Sequence, residues 1–345
     1  MNPEKNMLVM RREDTVVLKG CAILIMVFLH LFNDPGRVAL CRTYLEFNGE
    51  PLVLALSRCA GICVPLYVFL SGYGLYLSRA HTLARNGRRV ASLYVRFWLV
   101  LALFLVLACW LRPETYPGSF MEFLYNFTGL NTTYNGEWWF LLPYALLALS
   151  SPVILSSRDR WGNLLMLLVS GTLYLGAYLV SKYAKEYLGS QHLVSLFVNY
   201  VSLLFSFLLG VCSAHIGLPG RLSRFLGNKG VRRNLLLTLF LIIGLGTRML
   251  YHTAVFNPLY AVFFIVLFSL ISRPAWLTSL LTALGRQSVN MWLVHTVFCY
   301  HLFPSFTYGL RYPLLVFLFV VAASYLTGIL IERLNTPLQR LIFRD

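Results

Sequence analysis

The residues with the clearest chemical potential near the start of the chain are Lys19 and His30, which lie in one apolar run. Ten residues separate them, so on a continuous helix they lie about 16 Å apart along the axis. Eleven steps of about 100° return nearly to the starting direction, which places both side chains on one face. A histidine within a membrane span is costly unless it serves a function, so His30 is a candidate catalytic residue. A histidine that only hydrogen-bonds a neighbouring helix is the alternative.

The composition explains why this run is interpreted as a membrane span. Of the 345 residues, 58% are hydrophobic and only 12% are charged, and the mean hydropathy is +0.68. A soluble protein carries about 25% charged residues, so most of this chain is predicted to lie in lipid. The net charge of +16 does not indicate nucleic-acid binding, because the cations are dispersed between apolar runs.

We predict an all-α bundle of about ten membrane spans that forms one domain, 1–345, without a separate soluble domain. The spans are 15–34, 51–78, 97–112, 138–156, 163–181, 193–216, 235–252, 256–272, 287–304 and 313–332. With the N-terminus inside, Lys and Arg number 21 in the inner segments and 6 in the outer ones. The positive-inside rule therefore predicts that both termini are cytoplasmic. No repeat typical of inverted-repeat transporters is visible, and the seven cysteines form no metal-binding or disulfide pattern.

Polar and small residues on the inner side of the predicted bundle suit a ligand. In the inner part of span two, Ser71 supplies a hydroxyl and Gly72 permits close approach by a ligand or by another helix. The predicted loop that follows carries four arginines: Arg85, Arg88, Arg89 and Arg96. Positive-inside bias explains them fully, and a phosphorylated cofactor would suit them equally well.

Polar residues also accompany the outer ends of two spans. Glu137 is followed by Trp138 and Trp139, and aromatic faces of this kind suit sugar rings as well as a membrane interface. His295 is a second deep histidine, in span nine. Arg58 is a cation within a predicted span, so it should face a partner or a watery cavity.

Taken in chain order, these sequence motifs resemble those of the acyltransferase 3 family of integral membrane acyltransferases. The motifs that carry the resemblance are Asp14 to Gly20 with His30, Pro65 to Tyr73, the basic segment with Arg88, Arg89 and Arg96, Trp139-Phe-Leu, and Leu284 to Ser288 with His295. Lys19 stands where many members have arginine, so a point-charge contact to phosphate replaces a bidentate one.

The resemblance implies transfer of an acyl group, usually acetyl, from cytoplasmic acyl-CoA to a hydroxyl of an envelope glycan or a lipid-linked saccharide. It implies a bacterial inner-membrane protein without a metal and without a nucleic-acid partner. Some relatives carry an additional soluble esterase-like domain. This chain is expected to act alone or with a separate partner protein of a glycan pathway.

The residues divide into three predicted groups under this hypothesis. The catalytic group is His30, His295 and Glu137. The acyl-CoA-binding group is Lys19, Ser71, Gly72, Tyr73, Arg88, Arg89 and Arg96. The acceptor-binding group is Arg58, Trp138 and Trp139. His30 serves either as general base or as a transient acyl carrier. A transporter or flippase of a lipid-linked saccharide is the alternative, and an acyl-accepting sensor without turnover is a third interpretation.

Overall fold

The fold is built almost entirely from α-helices, in a computed structural model that describes residues 10–78, 82–227, 230–251 and 253–343. Numbered in chain order, the α-helices are α1 (Arg12–Phe32), α2 (Pro35–Ala39), α3 (Leu52–Cys59), α4 (Cys63–Leu77), α5 (Leu83–Leu111), α6 (Phe120–Thr128), α7 (Leu141–Tyr183), α8 (Lys185–Ser190), α9 (His192–Ile216), α10 (Leu218–Phe225), α11 (Val231–Leu250), α12 (Asn257–Leu270), α13 (Ala275–Thr296), α14 (Pro304–Gly309) and α15 (Pro313–Phe343). Shorter turns of other helix types lie at Ala60–Ile62, Gly136–Phe140, Ala254–Phe256 and Val297–His301. Two strands, β1 (Glu46–Phe47) and β2 (Glu50–Pro51), pair antiparallel.

The helices confirm a multi-pass, all-α membrane protein. Within the described residues, seven segments are long and apolar enough to cross a bilayer: Arg12–Phe32, Leu52–Leu77, Leu83–Leu111, Gly136–Tyr183, His192–Ile216, Val231–Leu250 and Pro313–Phe343. A shorter apolar helix runs over Ala254–Leu270. The number of ten spans and the cytoplasmic position of both termini remain predictions.

Helix α7 contains two of the predicted spans, and Gly162 marks the boundary between them. Its 43 residues would form a rod of about 65 Å, twice the ~30 Å of a bilayer's hydrocarbon core. At Gly162 the backbone turns to φ 78° and ψ 164°, a conformation that glycine adopts readily and other residues do not. The segments on either side of Gly162 are therefore two separate helical rods.

Helix α5 differs from the prediction, because it begins at Leu83 and not near residue 97. The predicted loop with four arginines is therefore wrong, since Arg85 to Arg96 are helical. The side chain of Thr82 accepts a hydrogen bond from the backbone N–H of Arg85 at 3.3 Å and caps the helix. Leucine, alanine and arginine are good helix formers, so the cap and composition extend the helix beyond the apolar stretch.

Helices α1 and α13 pack with their backbones in contact. A Cβ placed on Gly20 would lie 2.1 Å from the carbonyl oxygen of Leu281, and one on Gly285 would lie 2.0 Å from that of Val16. Only glycine permits this approach, which brings the helices that carry His30 and His295 side by side.

We expect Gly285→Ala to destabilise the protein by about 1–3 kcal/mol, because the added methyl group forces the helices apart. Gly176→Ala is the matched control, since nothing lies within 4 Å of a Cβ at Gly176. Alanine in an open helical position stabilises by about 0.5–1 kcal/mol relative to glycine. The thermal midpoint of detergent-solubilised protein should fall for the first variant and not for the second. Equal midpoints for the two variants would contradict the close contact.

Candidate functional site

His30 and His295 lie in direct contact. The Nδ1 atom of His30 and the Nε2 atom of His295 are 3.1 Å apart, and the ring of His295 is fully buried. His30 is close to the end of α1, where the hydroxyl of Tyr300 donates a hydrogen bond to its backbone carbonyl at 2.5 Å. The structure thus brings together two of the three predicted catalytic residues.

The hydrogen-bond partners assign the protons on this pair. The Nδ1 atom of His295 lies 2.9 Å from the carbonyl oxygen of Trp292 and 3.1 Å from that of Met291. Carbonyl oxygens only accept, so this Nδ1 carries a hydrogen, and the Nε2 atom of neutral His295 is an acceptor. His30 must then donate from Nδ1 to His295. The remaining nitrogen of His30, Nε2, is therefore left with a free lone pair.

Glu137 is the third predicted catalytic residue, and its carboxyl group lies beside Nε2 of His30, where it can accept a hydrogen bond once that nitrogen is protonated. Its Oε2 atom lies 3.4 Å from Nε2 of His30. The side chain of Asn135 accepts the backbone N–H of Glu137 at 3.1 Å and donates to Thr296 at 2.7 Å. Trp292 donates from its indole N–H to the carbonyl oxygen of Glu137 at 3.2 Å. These bonds attach the Gly136–Phe140 turn to α13, so Glu137 and His295 are positioned by the same helix.

The arrangement suits general-base chemistry at Nε2 of His30. An imidazole with an ordinary pKa of about 6.5 is mostly neutral at pH 7 and can accept a proton. A proton gained at Nε2 would place the imidazolium between two acceptors, the carboxylate of Glu137 and Nε2 of His295. A metal is not needed to explain the trio, and no group of three His, Cys, Asp or Glu with metal-site geometry occurs in the part of the chain that the structure describes.

Two cavities lie along α1 and share a wall. The Lys19 cavity has a volume of about 830 Å³, and its polar lining includes Arg12, Lys19, Ser71, Tyr73, Arg89 and Ser288. The His30 cavity has a volume of about 360 Å³, and its polar lining includes His30, Asn33, Arg37, Glu137, Trp139 and Tyr300. Both are lined by Met26, Phe140 and Trp292. These three side chains, named here the shared wall, stand between the cationic cavity and the histidine pair.

A third cavity, of about 410 Å³, lies between α5 and α15 and is named here the Arg340 cavity. Among the described residues, its lining includes five arginines, namely Arg85, Arg88, Arg89, Arg96 and Arg340, and one carboxylate, that of Glu332. The predicted basic cluster is therefore divided. Arg89 lines both this cavity and the Lys19 cavity. Arg96 pairs with Glu332 at 2.9 Å and donates to Asn290 at 3.1 Å, so much of its hydrogen-bonding capacity is used within the protein.

The structure places two predicted acceptor-binding residues, Arg58 and Trp138, away from the His30 cavity. Arg58 forms a bidentate ion pair with Glu50, at 2.6 and 3.0 Å, which satisfies its charge. The indole of Trp138 is fully buried and donates to the carbonyl oxygen of Leu293 at 2.9 Å. Trp139, in contrast, lines the His30 cavity as expected of an acceptor-facing aromatic residue.

The predicted donor-binding residues of α4 face different neighbours. Ser71 lines the Lys19 cavity and shares a hydrogen bond of 3.2 Å with Tyr144. Tyr73 lines it too, and its hydroxyl accepts the backbone N–H of Met10 at 2.9 Å. Gly72 faces away: a Cβ there would lie 2.1 Å from the carbonyl oxygen of Phe207. A ligand contact for Gly72 is therefore wrong, since its role is close packing of α4 on α9.

The structure adds three polar residues that sequence reasoning did not single out. Arg12 and Tyr144 line the Lys19 cavity, and Arg37 lines the His30 cavity. Arg12 belongs to a cationic segment before an apolar run, which looks like an ordinary orientation signal. Arg37 lies in a predicted outer loop and belongs to none of the sequence motifs. A tyrosine in a span carries no pattern that separates a cavity wall from a packed core.

Comparison with known proteins bears directly on this chemistry. No curated protein and no solved structure matched the chain. The family model described as an acyltransferase domain, that of the acyltransferase 3 family, matches residues 16–333. The match includes Lys19, Glu137 and both histidines of the pair, and it confirms the resemblance carried by the motifs. Since the matched region extends over nearly all of the sequence, this chain belongs to the acyltransferase 3 family of membrane acyltransferases.

Proposed function

We propose that the protein transfers an acetyl group from cytoplasmic acetyl-CoA to a hydroxyl of an envelope glycan or a lipid-linked saccharide. The observation that supports this most is the shared wall of Met26, Phe140 and Trp292 between the Lys19 cavity and the His30 cavity. A donor held in the first cavity and an acceptor held in the second would meet at this wall, beside His30. The positive-inside count assigns the first cavity to the cytoplasmic side.

The cations of the Lys19 cavity suit the donor. Arg12, Lys19 and Arg89 line it, and guanidinium and ammonium groups bind phosphate oxygens through charge-assisted hydrogen bonds. Arg89 also lines the Arg340 cavity, which carries further arginines. Under our proposal the phosphates of the nucleotide therefore bind beside Arg89. The pantetheine arm then passes Ser71 towards the shared wall.

The transfer step uses the lone pair on His30. The acceptor hydroxyl gives its proton to Nε2 of His30 while its oxygen bonds to the thioester carbonyl carbon. The tetrahedral intermediate then loses the coenzyme A thiolate as the carbon–sulfur bond breaks, and the thiolate takes the proton from His30. The products are an ester and coenzyme A. Glu137 and His295 stabilise the intervening imidazolium, which favours the general-base role over a covalent acyl carrier.

The deciding experiment supplies inverted bacterial inner-membrane vesicles that contain the protein with acetyl-labelled acetyl-CoA. We expect label in the glycan or lipid-linked saccharide fraction and an equal amount of free coenzyme A, both absent from vesicles without the protein. A transporter or flippase would move the saccharide without consuming acetyl-CoA. Binding of acetyl-CoA without release of coenzyme A would instead indicate a sensor. Either outcome would overturn the proposal.

The shared wall predicts selection for a short acyl chain. Met26 is buried, at 3% exposure, and fills space between the two cavities. We expect Met26→Ala to raise the use of propionyl-CoA and butyryl-CoA relative to acetyl-CoA by about 10-fold per added methylene. Leu75→Ala is the control, since Leu75 lines only the Lys19 cavity. Competition assays with mixed acyl-CoA donors measure the ratio, and an unchanged ratio in Met26→Ala would rule out this role.

A further inference from the structure

Arg37 is a cation in the His30 cavity, and its guanidinium forms no ion pair with a carboxylate of the described residues. The described residues offer no side-chain oxygen that accepts a hydrogen bond from its guanidinium, and its Nε atom is buried without a partner. Asp34, the nearest acid in sequence, accepts the backbone N–H of Arg37 at 2.9 Å instead, as the cap of α2. A buried donor without a partner costs about 1–3 kcal/mol, so the position calls for a ligand that accepts hydrogen bonds.

An aromatic ring holds this guanidinium in place. The guanidinium carbon lies 4.4 Å from the centroid of the Tyr300 ring, a cation–π contact. The hydroxyl of the same tyrosine is bonded to the backbone of His30. Tyr300 thus contacts both the guanidinium of Arg37 and the backbone of His30, the proposed base. Its geometry is preorganised, which lowers the entropy lost when a ligand binds.

Glu137 and Arg37 give the His30 cavity two chemically different groups. Glu137 is paired with His30 at 3.4 Å and forms no ion pair with Arg37 among the described residues. A hydroxyl beside His30 and Glu137 would find two acceptors. An anionic group on the same molecule would find the guanidinium. A neutral sugar would offer the guanidinium hydroxyl oxygens but no negative charge to pair with it.

We infer that the His30 cavity is an acceptor site for a saccharide that carries an anionic group, and that Arg37 binds this group while His30 faces the reacting hydroxyl. This inference rests on the proposed function and names its acceptor class. The anionic group is a carboxylate or a phosphate, because both match a guanidinium fork. The carboxylate belongs to an acidic sugar, and the phosphate to a sugar phosphate such as the head of a lipid-linked saccharide.

The test measures binding without any acyl donor. The thermal midpoint of the full-length protein in detergent is recorded with methyl glucuronide, with glucose 1-phosphate and with methyl glucoside at equal concentration. We expect one or both anionic probes to raise the midpoint and the neutral probe not to. The stabilisation should disappear in Arg37→Gln and persist in Arg42→Gln, an exposed arginine outside the cavity. Stabilisation by the glucuronide alone identifies an acidic sugar, and by the phosphate alone a sugar phosphate.

Three results would overturn the inference. They are stabilisation of the wild type by neither anionic probe, equal stabilisation by the neutral sugar, and stabilisation that persists in Arg37→Gln. Failure of the proposed function is separate, because acetyl-CoA binding and coenzyme A release are measured on the wild type without these probes.

Discussion

His30→Ala should reduce acetyl transfer by about 10³-fold while the protein remains folded and binds acetyl-CoA normally. General-base catalysis contributes about 10²–10⁴-fold, and the structure offers one imidazole whose lone pair faces the His30 cavity. Donor binding should persist because Lys19, Arg12 and Arg89 lie in the other cavity. Initial rates of label transfer and a separate coenzyme A binding measurement would record the two effects independently.

Two further variants complete this experiment: His30→Gln is a conservative substitution at the same site, and His192→Ala is a control. Glutamine keeps a hydrogen-bonding side chain of similar size but cannot accept a proton, so it should be as inactive as alanine. His192 contacts Asn131 and Tyr125 away from all three cavities, so its loss should leave transfer within about twofold of the wild type, as expected of a substitution outside functional features. Undiminished transfer by His30→Ala at normal protein level would remove His30 from the mechanism.

The arrangement of Lys19 and His30 along α1 was accessible from the sequence because it depends on regular geometry. A helix repeats every 3.6 residues, so the spacing of Lys19 and His30 predicts how far apart and on which face they lie. Apolar run length predicts the membrane class. The structure agrees with the predicted spacing, since Lys19 lines one cavity along α1 and His30 lines the other. It also agrees with the predicted membrane class, since several helices are long and apolar enough to cross a bilayer.

Contacts between distant segments were not accessible in the same way. The His30–His295 contact joins residues 265 positions apart and depends on the glycine contacts between α1 and α13. Nothing in the local pattern distinguishes Trp138, which packs in the core, from Trp139, which faces the cavity. The two stand on different sides of one turn. Arg58 looked like an unpartnered cation only because its partner Glu50 lies outside the helix, in strand β2.

Arginine side chains illustrate a further limit. Charge alone predicted a phosphate-binding cluster, and the structure divides that cluster between two cavities and an internal ion pair with Glu332. Arg37 shows the opposite limit, because no feature of the sequence singled it out. It becomes notable only because its buried Nε atom has no hydrogen-bond acceptor among the described residues. Satisfaction of hydrogen bonds is a three-dimensional property, and composition does not report it.

His295→Phe should reduce the turnover rate by about 10²-fold or more and leave the KM for acetyl-CoA nearly unchanged. Phenylalanine removes the acceptor for the Nδ1 hydrogen of His30. The ring is then free to adopt the other tautomer, which places its hydrogen on Nε2 and the lone pair away from the cavity. Loss of a tautomer-fixing partner costs about 10⁴-fold in a serine protease triad.

His295→Gln separates this positioning role from a purely structural one. The amide of glutamine offers an N–H to the carbonyl oxygen of Trp292 and an oxygen to Nδ1 of His30, which reproduces the pattern of the native ring. We therefore expect partial recovery of the turnover rate relative to His295→Phe, with similar thermal midpoints for the two variants. If both variants lose activity equally while folding and binding acetyl-CoA alike, the imidazole of His295 itself takes part in the reaction. If His295→Phe keeps full activity, the hydrogen bond between His30 and His295 has no part in catalysis.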